Sequence, residues 1–142
     1  KYQRPRNRFS PSGLPITLSE SKLMLISSSG AYMPESQSPF EQDNMLGDYS
    51  HRIIPSDTKF DDIKFAHTHY DHQFINENPQ VLLPLRHMED LIEEGFIGEL
   101  APITLSFSGY QPNVIRVIKE LIPSILEVVK DLSIDGVILV PS

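Results

Sequence analysis

A chain of 142 residues, 39% hydrophobic and 22% charged, has room for one domain with a single core and too little for two. Its net charge of −7 argues against nucleic acid, whose binders need a basic face, and no run approaches the ~18 apolar residues of a membrane span. The absence of cysteine excludes disulfides, thiolate metal sites and a cysteine nucleophile within this stretch.

Residues 1–21 carry Pro5, Pro11, Gly13 and Pro15 among polar residues and read as an extended arm. Lys1, Arg4, Arg6 and Arg8 make its start basic against an acidic remainder, which suits an arm lying on an acidic neighbour or subunit. The sequence opens on Lys1 instead of Met, and a preceding piece is expected.

Residues 22–142 read as a single α/β domain. Residues 22–29 (KLMLISSS) form an apolar run ending in serines and Gly30, the pattern of a buried strand entering a loop. Residues 31–47 lack periodicity, and a loop that long inside a small domain is usually functional or partly disordered. A short strand is expected within 48–55 (DYSHRIIP), and a buried one at 61–67 (DDIKFAH), running into His67-Thr68-His69-Tyr70-Asp71-His72. After a brief apolar stretch at 81–83, Pro84 suits the first turn of a helix. Leu85, Met88, Leu91 and Ile92 recur at helical spacing, with Gly95 as the stop. Residues 103–107 (ITLSF) predict a third strand, ending at Ser108-Gly109-Tyr110. The strongest helical pattern runs over 114–129, where Pro123 is expected to kink or divide it. Residues 136–140 (GVILV) predict a fourth strand, ahead of Pro141 and Ser142.

Strands separated by helices imply a mainly parallel sheet with helices on both faces, flavodoxin/Rossmann-like, with 22–28, 61–67, 103–107 and 136–140 in that one sheet. In such sheets a ligand lies beyond the carboxyl ends of the strands. The polar clusters sit there: 27–30, 67–72, 106–110 and Ser142.

HTHYDH is the loudest local signal. His67, His69, Asp71 and His72 resemble the HxHxDH motif of metallo-β-lactamase-like hydrolases, in which alternate histidines share a divalent metal whose bound water becomes the nucleophile. The context departs from it: Gln73-Phe74-Ile75 replaces the usual glycine, and only His87 follows as a further histidine. Histidines satisfied by hydrogen bonds at a loop or interface, or contacts to an organic substrate or a subunit, account for the cluster better. Asp48, Ser50, His51 and Arg52 form a second polar group; Arg52 suits a bidentate carboxylate clamp or an ion pair that orders the loop. Ser108 and Gly109 open a strand–turn–helix junction whose backbone amides suit an anion.

Taken in order, LMLISSSGAY, GDYSHRIIP, AHTHYD, LLPLRHMEDLIEEGFIGELAP, SFSGY and DGVILVPS resemble the selenoprotein B components of glycine, sarcosine and betaine reductases and the selenocysteine subunit of D-proline reductase. Arg86, and Asn78-Pro79-Gln80 where that family commonly has Asp-Ile-Asn, mark a diverged member. The resemblance implies a cytoplasmic, oligomeric reductase of amino-acid metabolism that cleaves the C–N bond of an amino acid or betaine-like substrate. It implies no cofactor in this chain and a pyruvoyl group on a partner subunit holding the amine. The nucleophile, selenocysteine or cysteine, is expected just beyond Ser142, with the domain incomplete at its C-terminus and ending at or near an in-frame UGA codon or a cut turn. As fragment alone, the chain is expected to be inactive. His67, His69, Asp71 and His72 would be catalytic; Asp48, Ser50, Arg52, Tyr70, Ser108, Gly109 and Ser142 would bind substrate. A metal-dependent hydrolase using HTHYDH and a non-catalytic interaction domain are the competing readings.

Overall fold

β1 (Lys22–Ser27) is the spine of the fold in the computed structural model, which describes residues 15–66, 75 and 77–142. Along one edge it runs parallel to β7 (Gly136–Val140), from Leu23 opposite Gly136 to Ser27 opposite Val140. Its other edge pairs in parallel first with β5 (Glu99–Leu100) and then with β6 (Ile103–Phe107), reaching Ser27 opposite Ser106. β3 (His51–Pro55) closes the far side, antiparallel to β6, with His51 opposite Phe107. Across the sheet the order is β3, β6, β1, β7, with β5 continuing the line of β6. The sheet is thus mixed and mainly parallel, as expected.

Successive side chains of a strand point to opposite faces, so β1 feeds two cores. Leu25 packs with Ile54, Ile63, Leu83 and Leu85, and Leu23 with Met88 and Ile97, all beneath helix α1 (Leu85–Glu93). Met24 and Ile26 face the other way, against Leu105 and the helical residues Ile125, Val128 and Val129. A fully buried side chain such as Leu25 contributes roughly 1.5–3 kcal/mol by leaving water. Helix α2 occupies residues 114–129: α-helical at Val114–Arg116, a π turn at Val117–Leu121, and α-helical again at Ile122–Val129. Asn113 caps it, its side chain accepting from the amides of Ile115 and Arg116. The disturbance predicted at Pro123 takes the form of that π turn. Proline has no N–H to return to Lys119, and Ile122 N–H instead reaches five residues back to Val117 O.

Two expectations need correction. The strand predicted at 61–67 is not part of the main sheet. Phe60–Asp62 makes a 3-10 turn, and β4 (Lys64–Phe65) pairs antiparallel with β2 (Ala31–Tyr32) in a separate ribbon. Both edges of β1 and of β6 are already taken, which leaves this segment no central place. The end of the arm is not extended either: Leu18–Glu20 is a 3-10 turn whose Leu18 O accepts from Gly98 N at 2.9 Å.

The ribbon is tied to β1 through Gly30. Its N–H donates to Phe107 O and its carbonyl accepts from Ala66 N, both at 2.9 Å. With φ +65°, and with any Cβ falling 2.6 Å from Ala66 O, this position requires glycine. Gly30→Ala is expected to destabilise the domain by about 1–3 kcal/mol, measured by urea unfolding. An unchanged midpoint would mean that the ribbon is not anchored as described.

Candidate functional site

The carboxyl ends of β1, β6 and β7 meet in a patch of small polar residues. Ser27, Ser29 and Ser106 are fully buried there, which close packing of strand ends demands and larger side chains would prevent. Ser27 Oγ donates to Leu82 O at 2.7 Å and accepts from Ser29 N at 3.2 Å. Ser29 bridges to Ser108 across the gap, and its Oγ lies 3.4 Å from Ser106 Oγ. At the β7 side, Ser28 N donates to Val140 O, Ser142 N donates to Ser28 Oγ at 2.8 Å, and Ser142 Oγ donates to Ser28 O at 2.6 Å. Ser108 and Ser142, 34 residues apart in sequence, are therefore held on either side of the same three-serine turn.

Because β3 is antiparallel, the residues before it reach the same edge. Gln111 joins the two groups: its Nε2 donates to Asp48 O and to Ser108 O, each at 2.7 Å. Two carbonyl acceptors fix the amide's orientation, and its buried Oε1 has no partner among the described residues. Asp48, Tyr49, Ser50 and Arg52 line a cavity of about 510 Å³ with Glu41 and with Arg116 and Glu120 of α2. Arg116 makes a two-pronged pair with Glu120 and stacks 4.1 Å over the Tyr49 ring, whose hydroxyl accepts from Asn113 N at 2.8 Å. Gly47, at φ +79°, lets the loop close on this junction, since a Cβ would meet Pro112 Cδ at 2.8 Å.

Arg52 is engaged with its own loop. Its guanidinium lies 4.2 Å over the Phe40 ring and donates to Ser38 O, Pro39 O, His51 O and Ser50 Oγ. Ser50 Oγ donates a hydrogen bond to Asp48, which also accepts from the amides of Glu41 and Ser50. Burial raises the Asp48 pKa. The bonds from Ser50 and Glu41, with the Arg52 charge, outweigh burial and hold the carboxyl below its ordinary value. The His51 pKa is lowered by burial first and by the Arg52 charge second, both of which favour the neutral ring. Ser124 Oγ donates to Leu121 O, so the 3.1 Å contact is made by His51 Nδ1–H donating to Ser124.

The structure thus brings Asp48, Ser50, Arg52, Ser108, Gly109 and Ser142 to one edge. His67, His69, Tyr70, Asp71 and His72 lie outside the described residues; Ala66, the residue before them, is bound to Gly30 at that same edge. Among the described residues no group of three His, Asp or Glu side chains is placed to hold a metal ion. Sequence reading missed Tyr49 and Gln111, whose partners Asn113 and Asp48 are 64 and 63 residues away.

The pKa directions predict how stability follows pH. An unfolded His51 takes up a proton below about 6.5 and an unfolded Asp48 below about 3.9, while the folded forms resist. Stability should therefore be full at pH 8, fall as pH drops through 6, and fall again near 4. His51→Gln should remove only the first decline. A urea midpoint constant from pH 8 to 5 would contradict this.

Residues 5–142 match the family described as Glycine/sarcosine/betaine reductase selenoprotein B. The chain is 30% identical over 131 residues to "D-proline reductase subunit gamma" of Acetoanaerobium sticklandii, an alignment covering 91% of this chain and 52% of that protein. The chain spans about half the length of this curated relative. No solved structure matches it.

Proposed function

The chain belongs to the glycine/sarcosine/betaine reductase selenoprotein B family, and on that premise we propose that it forms part of a reductase cleaving a C–N bond of an amino acid or betaine-like substrate. The observation that carries this reading is the polar carboxyl edge, where Ser28, Ser108 and Ser142 surround the ends of three parallel strands. A nucleophile placed just beyond Ser142 would stand over that crevice. At a strand end before a helix N-terminus its anionic form would be stabilised.

In this reading a selenolate or thiolate attacks the carbon beside the nitrogen, and the C–N electron pair leaves with the amine. His67, His69, Asp71 and His72, next in sequence after Ala66, supply the proton the departing amine needs. Asp48, Ser50, Tyr70, Ser108, Gly109 and Ser142 line the substrate's place. Arg52 acts through the loop, keeping Ser50 and Asp48 in position. A pyruvoyl group on a partner subunit would hold the amine. Among the described residues no helix is long and apolar enough to cross a membrane.

The test is an assay of the full natural protein with its partner subunits and a dithiol reductant, offered glycine, sarcosine, betaine and D-proline separately. Reductive C–N cleavage of at least one is expected, measured as amine release or ring opening. Replacing His67, His69 and His72 together by Gln should slow it by roughly 10²-fold or more. Cleavage of none, or a stoichiometric divalent metal lost in the histidine variant, would turn the reading toward the hydrolase.

A further inference from the structure

The cavity beside the carboxyl edge holds two arginines in different states. Arg52 is spent: hydrogen bonds to Ser38, Pro39, His51 and Ser50 and the face of Phe40 occupy its guanidinium. Arg116, which lines the same cavity from α2, is held but not saturated. Its Nε and Nη2 donate side-on to the two carboxylate oxygens of Glu120, at 2.8 and 2.6 Å. Its Cζ lies 4.1 Å from the centre of the Tyr49 ring. Nη1 has no partner among the described residues, and the side chain is 39% exposed. The end-on edge of the fork, Nη1 with the second N–H of Nη2, is therefore open and fixed in direction.

A surface pair at i, i+4 adds little stability, and it does not explain why the guanidinium is also seated on an aromatic ring at a cavity wall. The ring is itself fixed, since the Tyr49 hydroxyl accepts from the amide of Asn113, the cap of α2. A planar guanidinium anchored twice, with one free edge of two donors, is the group that recognises a carboxylate. The surrounding charges narrow the ligand. Glu41, Asp48 and Glu120 face Arg52 and Arg116 in this cavity, three negative groups against two positive. That excess repels a simple anion and suits a molecule that carries a carboxylate and a positive nitrogen together. Asp48 ties the cavity to the strand ends, because Gln111 Nε2 holds the carbonyls of Asp48 and Ser108 side by side.

We propose that Arg116 is the specificity-determining residue of this cavity: its end-on edge takes the carboxylate of a zwitterionic amino acid or betaine, with Glu120 and Tyr49 holding the fork in place. The proposal rests on the substrate class put forward above, and supplies the carboxylate contact that Arg52, spent on its own loop, leaves unmade. Arg116 binds and orients the substrate and takes no part in breaking the C–N bond.

Titration calorimetry on the full natural protein with its partner subunits tests it, without reductant so that nothing turns over. The probes are glycine, sarcosine, betaine and D-proline, each beside the amine that lacks its carboxylate, and acetate, which lacks the nitrogen. The best-bound of the four should weaken about 10- to 100-fold in Arg116→Gln. Its amine counterpart and acetate should bind weakly, the amine equally to both proteins. Arg116→Lys keeps the charge but not the fork; it should fall between, and it decides the matter if the Gln variant does not fold. Unchanged affinity in either variant would overturn the proposal. So would an equal loss for substrate and amine, which marks a structural role, acetate binding as tightly as the best of the four, or binding of none of them. Reductive cleavage with an unchanged KM in Arg116→Gln would sink this site and leave the reaction standing. Arg116-dependent binding without cleavage would do the reverse.

Discussion

β1 has no free edge, and its last residues have no free backbone to spare. The strand is paired on both sides to Ser27, and the next three residues turn away in directions fixed by separate partners. Ser28 is taken by Val140 and Ser142, Ser29 by Ser108, and Gly30 by Phe107 and Ala66. A buried backbone group left unpaired costs about as much as a lost hydrogen bond, so these pairings are obligatory. One four-residue turn therefore decides where the ends of β6 and β7 sit and where the histidine-rich segment begins. The loop before β3 is joined to the same turn through Gln111 and Ser108. The geometry of this carboxyl edge follows from how β1 ends.

Much of this was legible because local signals agreed with the global fold. The 114–129 pattern and the apolar runs of β1, β6 and β7 each report burial within a few residues. The run at 61–67 also reads as apolar, but three apolar residues in seven do not say which sheet they join. That depended on β1 and β6 having their edges filled by strands distant in sequence. Pro123 announced a disturbance without its form, because whether a helix kinks or widens depends on what its far half packs against. Here Ile125, Val128 and Val129 are held on Met24 and Ile26, and a widened turn keeps both halves on the sheet.

The site residues divide the same way. Polar clusters at strand ends were visible as composition; Ser108 and Ser142 came from that rule, and Asp48 and Ser50 from a second dense polar group. What Arg52 does was not visible. A guanidinium beside acids suggests a clamp or an ion pair, whereas here it binds carbonyls of residues 38, 39 and 51 and stacks on Phe40. Gln111 and Tyr49 carry no signature, since their importance lies wholly in contacts across more than sixty residues. Membership of the reductase family gives the polar edge a chemical meaning. The geometry in turn gives the family motifs a physical reason to stand in that order.

The central claim is that substrate is held at the carboxyl edge, over the turn at Ser27 to Gly30. A crystal structure of the full natural protein with glycine, sarcosine, betaine or D-proline bound tests it most directly. The account predicts the ligand in the crevice bounded by Ser28, Ser108, Asp48 and Ser142. A ligand bound instead at the amino ends of the strands, beside Gly98 and Glu99, would contradict it.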